Sequence, residues 1–213
     1  HSSNVAIGTL AFDAATSAED SVVIGVLAGS DITTGDGNVL LGYGAGDNAS
    51  TLGGSIGIGY QSLGGANSTL LTGNNHTVAI GYQAAGNASG NWGNGVYIGY
   101  LAGNHDTSGG NVAVGYRAME VASGSSMVWN TAIGNNAMNN ISYANSFANT
   151  AIGYHALKGG AVTGAVQYNV AIGGGNLQSI TSGVNNTAIG GNSVLSALTT
   201  GGSNVAISRG AGQ

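Results

Sequence analysis

The sequence predicts an all-β chain folded as a single parallel β-solenoid of about twelve coils over residues 1–213. Three observations predict it. A five-residue core, first met as Asn4-Val5-Ala6-Ile7-Gly8, recurs from one end of the chain to the other, the mark of a repeat architecture. Glycine closes that core in eleven of its twelve copies. The core residues are β-branched or aliphatic, and no Ala/Leu/Glu/Lys-rich stretch lies between copies to favour helix.

The cores start at Asn4, Ser21, Asn38, Ser55, Thr77, Gly95, Asn111, Asn130, Asn149, Asn169, Asn186 and Asn204, at intervals of 17, 17, 17, 22, 18, 16, 19, 19, 20, 17 and 18 residues. These intervals leave no room for a second, non-repetitive domain. Successive residues of an extended strand face opposite ways. The second place, mostly Val or Thr, and the fourth, Ile, Leu or Val, are therefore expected on one face, assigned to the coil interior. The first, third and fifth places take the other. Glycine at the fifth place predicts a bend through positive φ or a close approach to another backbone. Three residues further on, Ala or Ser recurs, from Ala11 and Ala28 through Ser193 to Ala211, giving the unit Ile-Gly-x-x-Ala. Twelve coils stacked at about 4.8 Å make a rod roughly 55 Å long.

A fully buried aliphatic side chain contributes about 1.5–3 kcal/mol, so two per coil do not offset the entropy of ordering a unit that size. More surface must be buried. The third place is Ala in eight copies and Gly57 in a ninth, although solvent on that face would favour Thr, Lys or Glu. Close contact of these small residues with another chain is the expectation, most simply in a homotrimer of parallel chains about one axis. Val23, Leu40 and Tyr97 depart from the small-residue rule and imply local spreading of that axis.

Composition excludes several function classes. Cys and Pro are absent, which removes disulfide frameworks, thiolate metal sites, cysteine nucleophiles and collagen. Three Lys plus Arg against eight Asp plus Glu give a net charge of -5, with no basic patch to neutralise phosphates, so no nucleic-acid partner is expected. A hydrophobic content of 42%, recurring at fixed places, is unlike a disordered chain. No segment approaches the roughly 20 apolar residues of a membrane span, and no signal peptide is visible. The first residue is His1, which suggests a processed or excised piece.

The segments Asn130-Thr-Ala-Ile-Gly-Asn-Asn-Ala-Met138, Asn149-Thr-Ala-Ile-Gly-Tyr-His-Ala-Leu157 and Thr77-Val-Ala-Ile-Gly-Tyr-Gln-Ala-Ala85 resemble two related sets of repeats. One is the Asn-Thr-Ala-Ile-Gly-Tyr-x-Ala-Leu array of phage tail-fibre proteins. The other is the head β-roll of trimeric autotransporter adhesins. The resemblance implies a left-handed parallel β-roll assembled as a parallel homotrimer, located outside the cell on a virion or a bacterial surface. It implies a structural or receptor-facing fibre segment, a phage tail fibre ahead of a bacterial adhesin head. Adhesin head coils are shorter and more regular than these units, which favours the fibre-type array. A left-handed β-helix acyltransferase is the enzymatic alternative; its hexapeptide units resemble Ile-Gly-x-x-Ala-x, but only one hexad per unit is recognisable here.

Tyr43, Tyr60, Tyr82, Tyr100, Tyr116 and Tyr154 each follow a core glycine, and a column of rings is expected to stack along the rod rather than to bind a ligand. Asn at the first place of eight cores is expected to hydrogen-bond from coil to coil. Binding of a cell-surface glycan or protein receptor is assigned to the longer linkers, because loops on a rigid scaffold are the usual contact surface. The residues assigned there are Trp92, Trp129, Tyr143, Phe147, His155 and Tyr168. Catalysis, a cofactor and a metal are not expected. The few carboxylates lie mostly in different coils, and the group Asp13, Glu19, Asp20, Asp31 and Asp36 matches no calcium-loop spacing.

Overall fold

The computed structural model describes residues 3–64, 76–87, 93–106, 108–120, 127–142 and 145–209. These residues contain no helix. The strands are β1 (Val5–Ile7), β2 (Val22–Ile24), β3 (Val39–Leu41), β4 (Ile56–Ile58), β5 (Val78–Ile80), β6 (Val96–Ile98), β7 (Val112–Val114), β8 (Thr131–Ile133), β9 (Thr150–Ile152), β10 (Val166–Gln167), β11 (Val170–Gly174), β12 (Gly183–Val184), β13 (Thr187–Asn192) and β14 (Val205–Ile207). Twelve of them form one sheet in the order β1-β2-β3-β4-β5-β6-β7-β8-β9-β11-β13-β14, one strand from each core. Every neighbouring pair is parallel and in register: Val5 lies beside Val22, Val22 beside Val39, and Thr187 beside Val205. β10 and β12 form a small parallel sheet in the late linkers. The chain is therefore a parallel β-solenoid.

The alternation along each strand is as expected, but its two faces are exchanged. Between the two end strands of the sheet the third place is fully buried: Ala79, Ala113, Ala132, Ala151, Ala171 and Ala188 have no exposed surface, and neither do Val23, Leu40 and Tyr97, whereas Ala6 in β1 is exposed and Ala206 in β14 half-buried. The second and fourth places are half-buried or exposed in every strand of the sheet. The small residues therefore line the inside of their own coil. They do not press against another subunit, and the three larger residues do not spread an axis.

What they press against is six residues further on. The turn after each strand returns a side chain to the interior, and its size is complementary to that of the third place. Ala113 is matched by Met119, Ala132 by Met138, Ala151 by Leu157 and Gly57 by Leu63, all buried. Where the third place is large, the later place is glycine. A Cβ on Gly46 would lie under 3.0 Å from Leu40, and one on Gly103 under 3.0 Å from the Tyr97 ring. Most coils thus hold one large side chain at this level of a narrow core; the fifth, with Ala79 and Ala85 both buried, holds none and lies between Leu63 and Tyr97 of its neighbours. At native packing density, two would overpack it and none would leave a cavity.

The turns themselves use left-handed backbone at alternate residues, and side chains other than glycine occupy it. Arg117 and Met119 have φ of 53° and 51°, Asn136 and Met138 have 55° and 51°, and His155 and Leu157 have 55° and 47°. A left-handed L-residue costs roughly 1–2 kcal/mol, an amount that burial of a Leu or Met side chain, about 1.5–3 kcal/mol, offsets. The conformation also aims alternate peptides along the rod. The Arg117 N–H donates back to the Tyr100 carbonyl, whereas the Met119 N–H donates forward to Ala137. Turn and strand alike are bonded to the coils on either side, which satisfies backbone groups that a tight corner would otherwise orphan. In the eleventh unit, a bulge in the pairing of β11 with β13 moves the buried place from Ser193 to Val194.

The first-place asparagines form a buried ladder. The Asn149 Nδ2 donates to Asn130 Oδ1 at 3.0 Å and to the Val166 carbonyl at 2.7 Å, and Asn149 Oδ1 accepts from both the N–H and the Nδ2 of Asn169 at 3.0 Å. The same pattern links Asn111, Asn130, Asn149, Asn169, Asn186 and Asn204. Replacing Asn149 by Ala leaves the Asn169 N–H and the Val166 carbonyl unpaired in the core, each costing about 1–3 kcal/mol. Asn149→Ala is expected to lose about 2–5 kcal/mol in denaturant unfolding; Asn204→Ala, half-buried at the last strand, should lose clearly less.

Candidate binding surfaces

Because the strand faces are exchanged, the outer side of the sheet carries the larger apolar residues. Val at the second place, Ile at the fourth and Tyr at the sixth run up the rod beside one another. Val5, Ile7, Ile24, Ile98 and Ile133 are exposed, as are the tyrosines that follow the core glycines. Tyr43, Tyr60, Tyr82, Tyr100 and Tyr116 form an unbroken column with ring centroids 5.1–5.2 Å apart and planes within 6–14° of parallel. Strand spacing dictates that distance. The column begins above Val26 and stops at Asn135, which occupy the same place in coils 2 and 8. Tyr154, two coils beyond Tyr116, stacks instead on its chain neighbour His155 at 3.8 Å.

The residues assigned to receptor contact divide three ways. Trp129, Phe147 and Tyr168 come together in consecutive coils just before the strand: Trp129 and Phe147 meet edge-on at 6.5 Å, and Phe147 and Tyr168 at 5.2 Å. Trp129 is 70% exposed and Tyr168 53%, and Phe147 between them is half-buried. His155 lies after the strand, apart from that cluster, on Tyr154. Burial and then the nearby Lys158 charge lower its pKa, which favours the neutral ring. Trp92 and Tyr143 lie outside the described residues.

Two features were not legible as sites. The first is an open groove of about 380 Å³ lined by Thr34, Asp36, Thr51, Gly53, Gly54 and His76, in which Asp36 already accepts the Glu19 N–H at 2.8 Å. The second is a polar cluster inside the sixth coil. Tyr97 replaces the usual Ala, and its ring fills the space left by Gly95 and Gly103, where a Cβ would approach it under 3.0 Å. Its hydroxyl donates to Asp106 Oδ2 at 2.7 Å. The Asn111 Nδ2 reaches the same oxygen at 2.8 Å, and the Ser108 N–H donates to Oδ1 at 2.9 Å. Burial pushes the Asp106 carboxyl up to about 7 despite these three donors, each of which acts to lower it. The Tyr97 hydroxyl is raised well above its usual range, first by burial and then by the Asp106 charge. The pairing of Tyr97 with Gly103 and of Leu40 with Gly46 is the signal in the sequence that could have located this interior.

Charge is uneven along the rod. Asp13, Glu19, Asp20, Asp31, Asp36 and Asp47 lie within the first 47 residues, whereas Arg117, Lys158 and Arg209 all lie in the second half. Among the described residues, Arg117 with Glu120 is the one ion pair, and no three His, Asp or Glu side chains converge as metal ligands. No family model, curated protein or solved structure matches the chain.

Proposed function

We propose that the chain is a structural or receptor-facing segment of an extracellular fibre, most simply a phage tail fibre, that works as a parallel homotrimer through rigidity and multivalent attachment. The observation that carries this reading is the continuous Val/Ile/Tyr face on an in-register solenoid. A strip of exposed apolar side chains along a rod of roughly 55 Å is larger than a monomeric soluble protein ordinarily leaves open. The contact between chains is placed on this outer face, not on the alanines. Backbone bonds along the whole axis favour stiffness, and three copies of any weak contact raise avidity through effective concentration. The exposed Trp129 and Tyr168 rings, with the half-buried Phe147 between them, are suited to contact with a sugar face or an apolar patch of a receptor, since aromatics carry much of the contact energy at interfaces. A bacterial adhesin head would use the same features.

Native mass measurement tests the assembly. A particle of about three times 20.6 kDa is expected, and a monomer at micromolar concentration overturns it. Ile98→Asp should dissociate the trimer while leaving the circular dichroism spectrum unchanged. If Ile98 faced only solvent, the same change would alter stability by within about 0.5 kcal/mol and leave the mass as it was. Trp129→Ala should weaken retention of host cells by the immobilised protein; a passive shaft retains none before or after the change.

A further inference from the structure

The tyrosines of the outer column stand in a geometry that favours covalent joining. Tyr43, Tyr60, Tyr82, Tyr100 and Tyr116 hold the same place in five successive coils, although they lie 17, 22, 18 and 16 residues apart in the chain. Backbone bonds pin that register. Gln61, Gln83, Leu101 and Arg117 donate their N–H groups to the carbonyls of Tyr43, Tyr60, Tyr82 and Tyr100 at 2.8–2.9 Å, so each tyrosine is tied to the one before it whatever the length of the linker between. With ring planes within 6–14° of parallel and centroids 5.1–5.2 Å apart, the ortho carbons of neighbouring phenols are set one above the other. The ring faces cover one another, and what remains open are the edges and hydroxyls. The five residues are between 43% and 47% exposed, which admits a reagent to those edges and leaves the rings free to swing together.

We propose that this column is an oxidative cross-linking site, at which a one-electron oxidant joins neighbouring tyrosines as dityrosine and so staples coils 3–7 along the outer face. Each of two adjacent phenols loses one electron to the oxidant and one proton to water, giving two phenoxyl radicals. These couple through one new carbon–carbon bond between ortho carbons. The two ortho hydrogens then move to the phenolic oxygens, so the pair as a whole has lost two electrons and two protons. Proximity decides the partner, because radicals held as neighbours couple before they meet those of another molecule. The chain holds no Cys, so tyrosine coupling is a covalent brace open to it where a disulfide is not. Each bond closes a loop of the size that a disulfide stabilises through the unfolded chain. The remaining described tyrosines have no such neighbour among the described residues. The same place beside Tyr154 is held by Asn135 and Gly174, Tyr168 meets Phe147, and Tyr97 is buried against Asp106.

The test illuminates the full chain with a photo-excited ruthenium complex, persulfate serving as the final electron acceptor. Links are then read by dityrosine fluorescence and by mass spectrometry of peptides from the denatured chain. Wild type is expected to gain links joining Tyr43 to Tyr60, Tyr60 to Tyr82, Tyr82 to Tyr100 and Tyr100 to Tyr116, at the single-chain mass of 20.6 kDa. Unfolding the chain in denaturant before illumination should lower the yield at least about tenfold, because the neighbours are then no longer held together. Tyr60→Phe combined with Tyr100→Phe keeps the stacked rings but leaves Tyr43, Tyr82 and Tyr116 with no phenol next to them. Its yield should fall to that of the unfolded wild type while its circular dichroism spectrum stays unchanged. The links are read on the denatured chain, so the result does not depend on how many chains the native particle contains. The proposal is overturned if folded wild type gains no links or links between chains only, if its links join tyrosines that are not adjacent in the column, or if the double variant keeps the wild-type yield.

Discussion

Gly99→Ala is expected to destabilise the solenoid by about 3–5 kcal/mol, combining a backbone conformation that side chains rarely adopt with displacement of packed backbone. Gly99 has φ of 135°, and its added Cβ would lie under 3.0 Å from both the carbonyl oxygen and the carbonyl carbon of Gly115. The clash is with backbone, so no rotamer relieves it. The sixth and seventh coils must separate, which also threatens the Gly115 N–H bond to Ile98. Gly44→Ala is the control. Gly44 also has positive φ, 58°, but its place in other coils is held by Leu27, Gln61, Leu101 and Arg117, all at φ of 49–59°. Its nearest neighbour to an added Cβ is the flexible Gln61 side chain at 3.3 Å. A loss under about 1 kcal/mol is expected there. Thermal unfolding of the two variants reads the difference. Each coil contacts mainly its neighbours, so hydrogen exchange in Gly99→Ala should rise most around the sixth and seventh coils. Equal losses in the two variants would show that positive φ, and not the stacked carbonyl, dictates the glycine.

The buried carboxyl is expected to make stability fall as pH rises. Asp106 titrates near 3.8 in the unfolded chain and at about 7 in the folded one. Between those values the native state holds a proton that the unfolded state has lost, so the stability of the native state decreases with pH across this window and levels off above it. Three pKa units correspond to a loss on the order of 4 kcal/mol by pH 8. Desolvation is the cause: three hydrogen bonds help the carboxylate, but among the described residues no cation pairs with it. Asp106→Asn keeps the shape and carries no charge at any pH, but its single carbonyl oxygen takes the place of either Oδ1 or Oδ2, so it keeps the Ser108 bond or the Asn111 bond and not both. Its stability should lack this slope, so relative to wild type it should gain a few kcal/mol between pH 4 and pH 8. His155, whose pKa is lowered from 6.5, adds a slope of opposite sign below that value, but it is present in both proteins and cancels in their difference. Denaturant unfolding from pH 4 to pH 8 supplies the measurement, and parallel curves for the two proteins would refute the assignment.

Much of the fold was legible because it rests on local chemistry. The interval from core to core places every strand of the main sheet, and the asparagine and tyrosine columns follow from one such residue per coil. The candidate surface was legible only in part. Exposed aromatics in long linkers pointed to Trp129, Phe147 and Tyr168, but their contact depends on how linkers of different length stack. His155 was grouped with them although it sits beyond the strand on Tyr154. The Asp106 cluster was hidden because a Tyr at one place and an Asp nine residues later become partners only when the coil closes.

By itself the sequence determined the number of coils, the strand places and their register, because each is a property of spacing along the chain. Only the tertiary structure decided which strand face is the interior. A two-residue alternation defines two faces but gives neither a direction, and the larger side chains were assigned inward by size alone. The closed coil is too narrow at that level for two large side chains, so the small residue faces in wherever the turn six positions later supplies a Leu or Met. Val and Ile are left on the outside, half-buried or exposed.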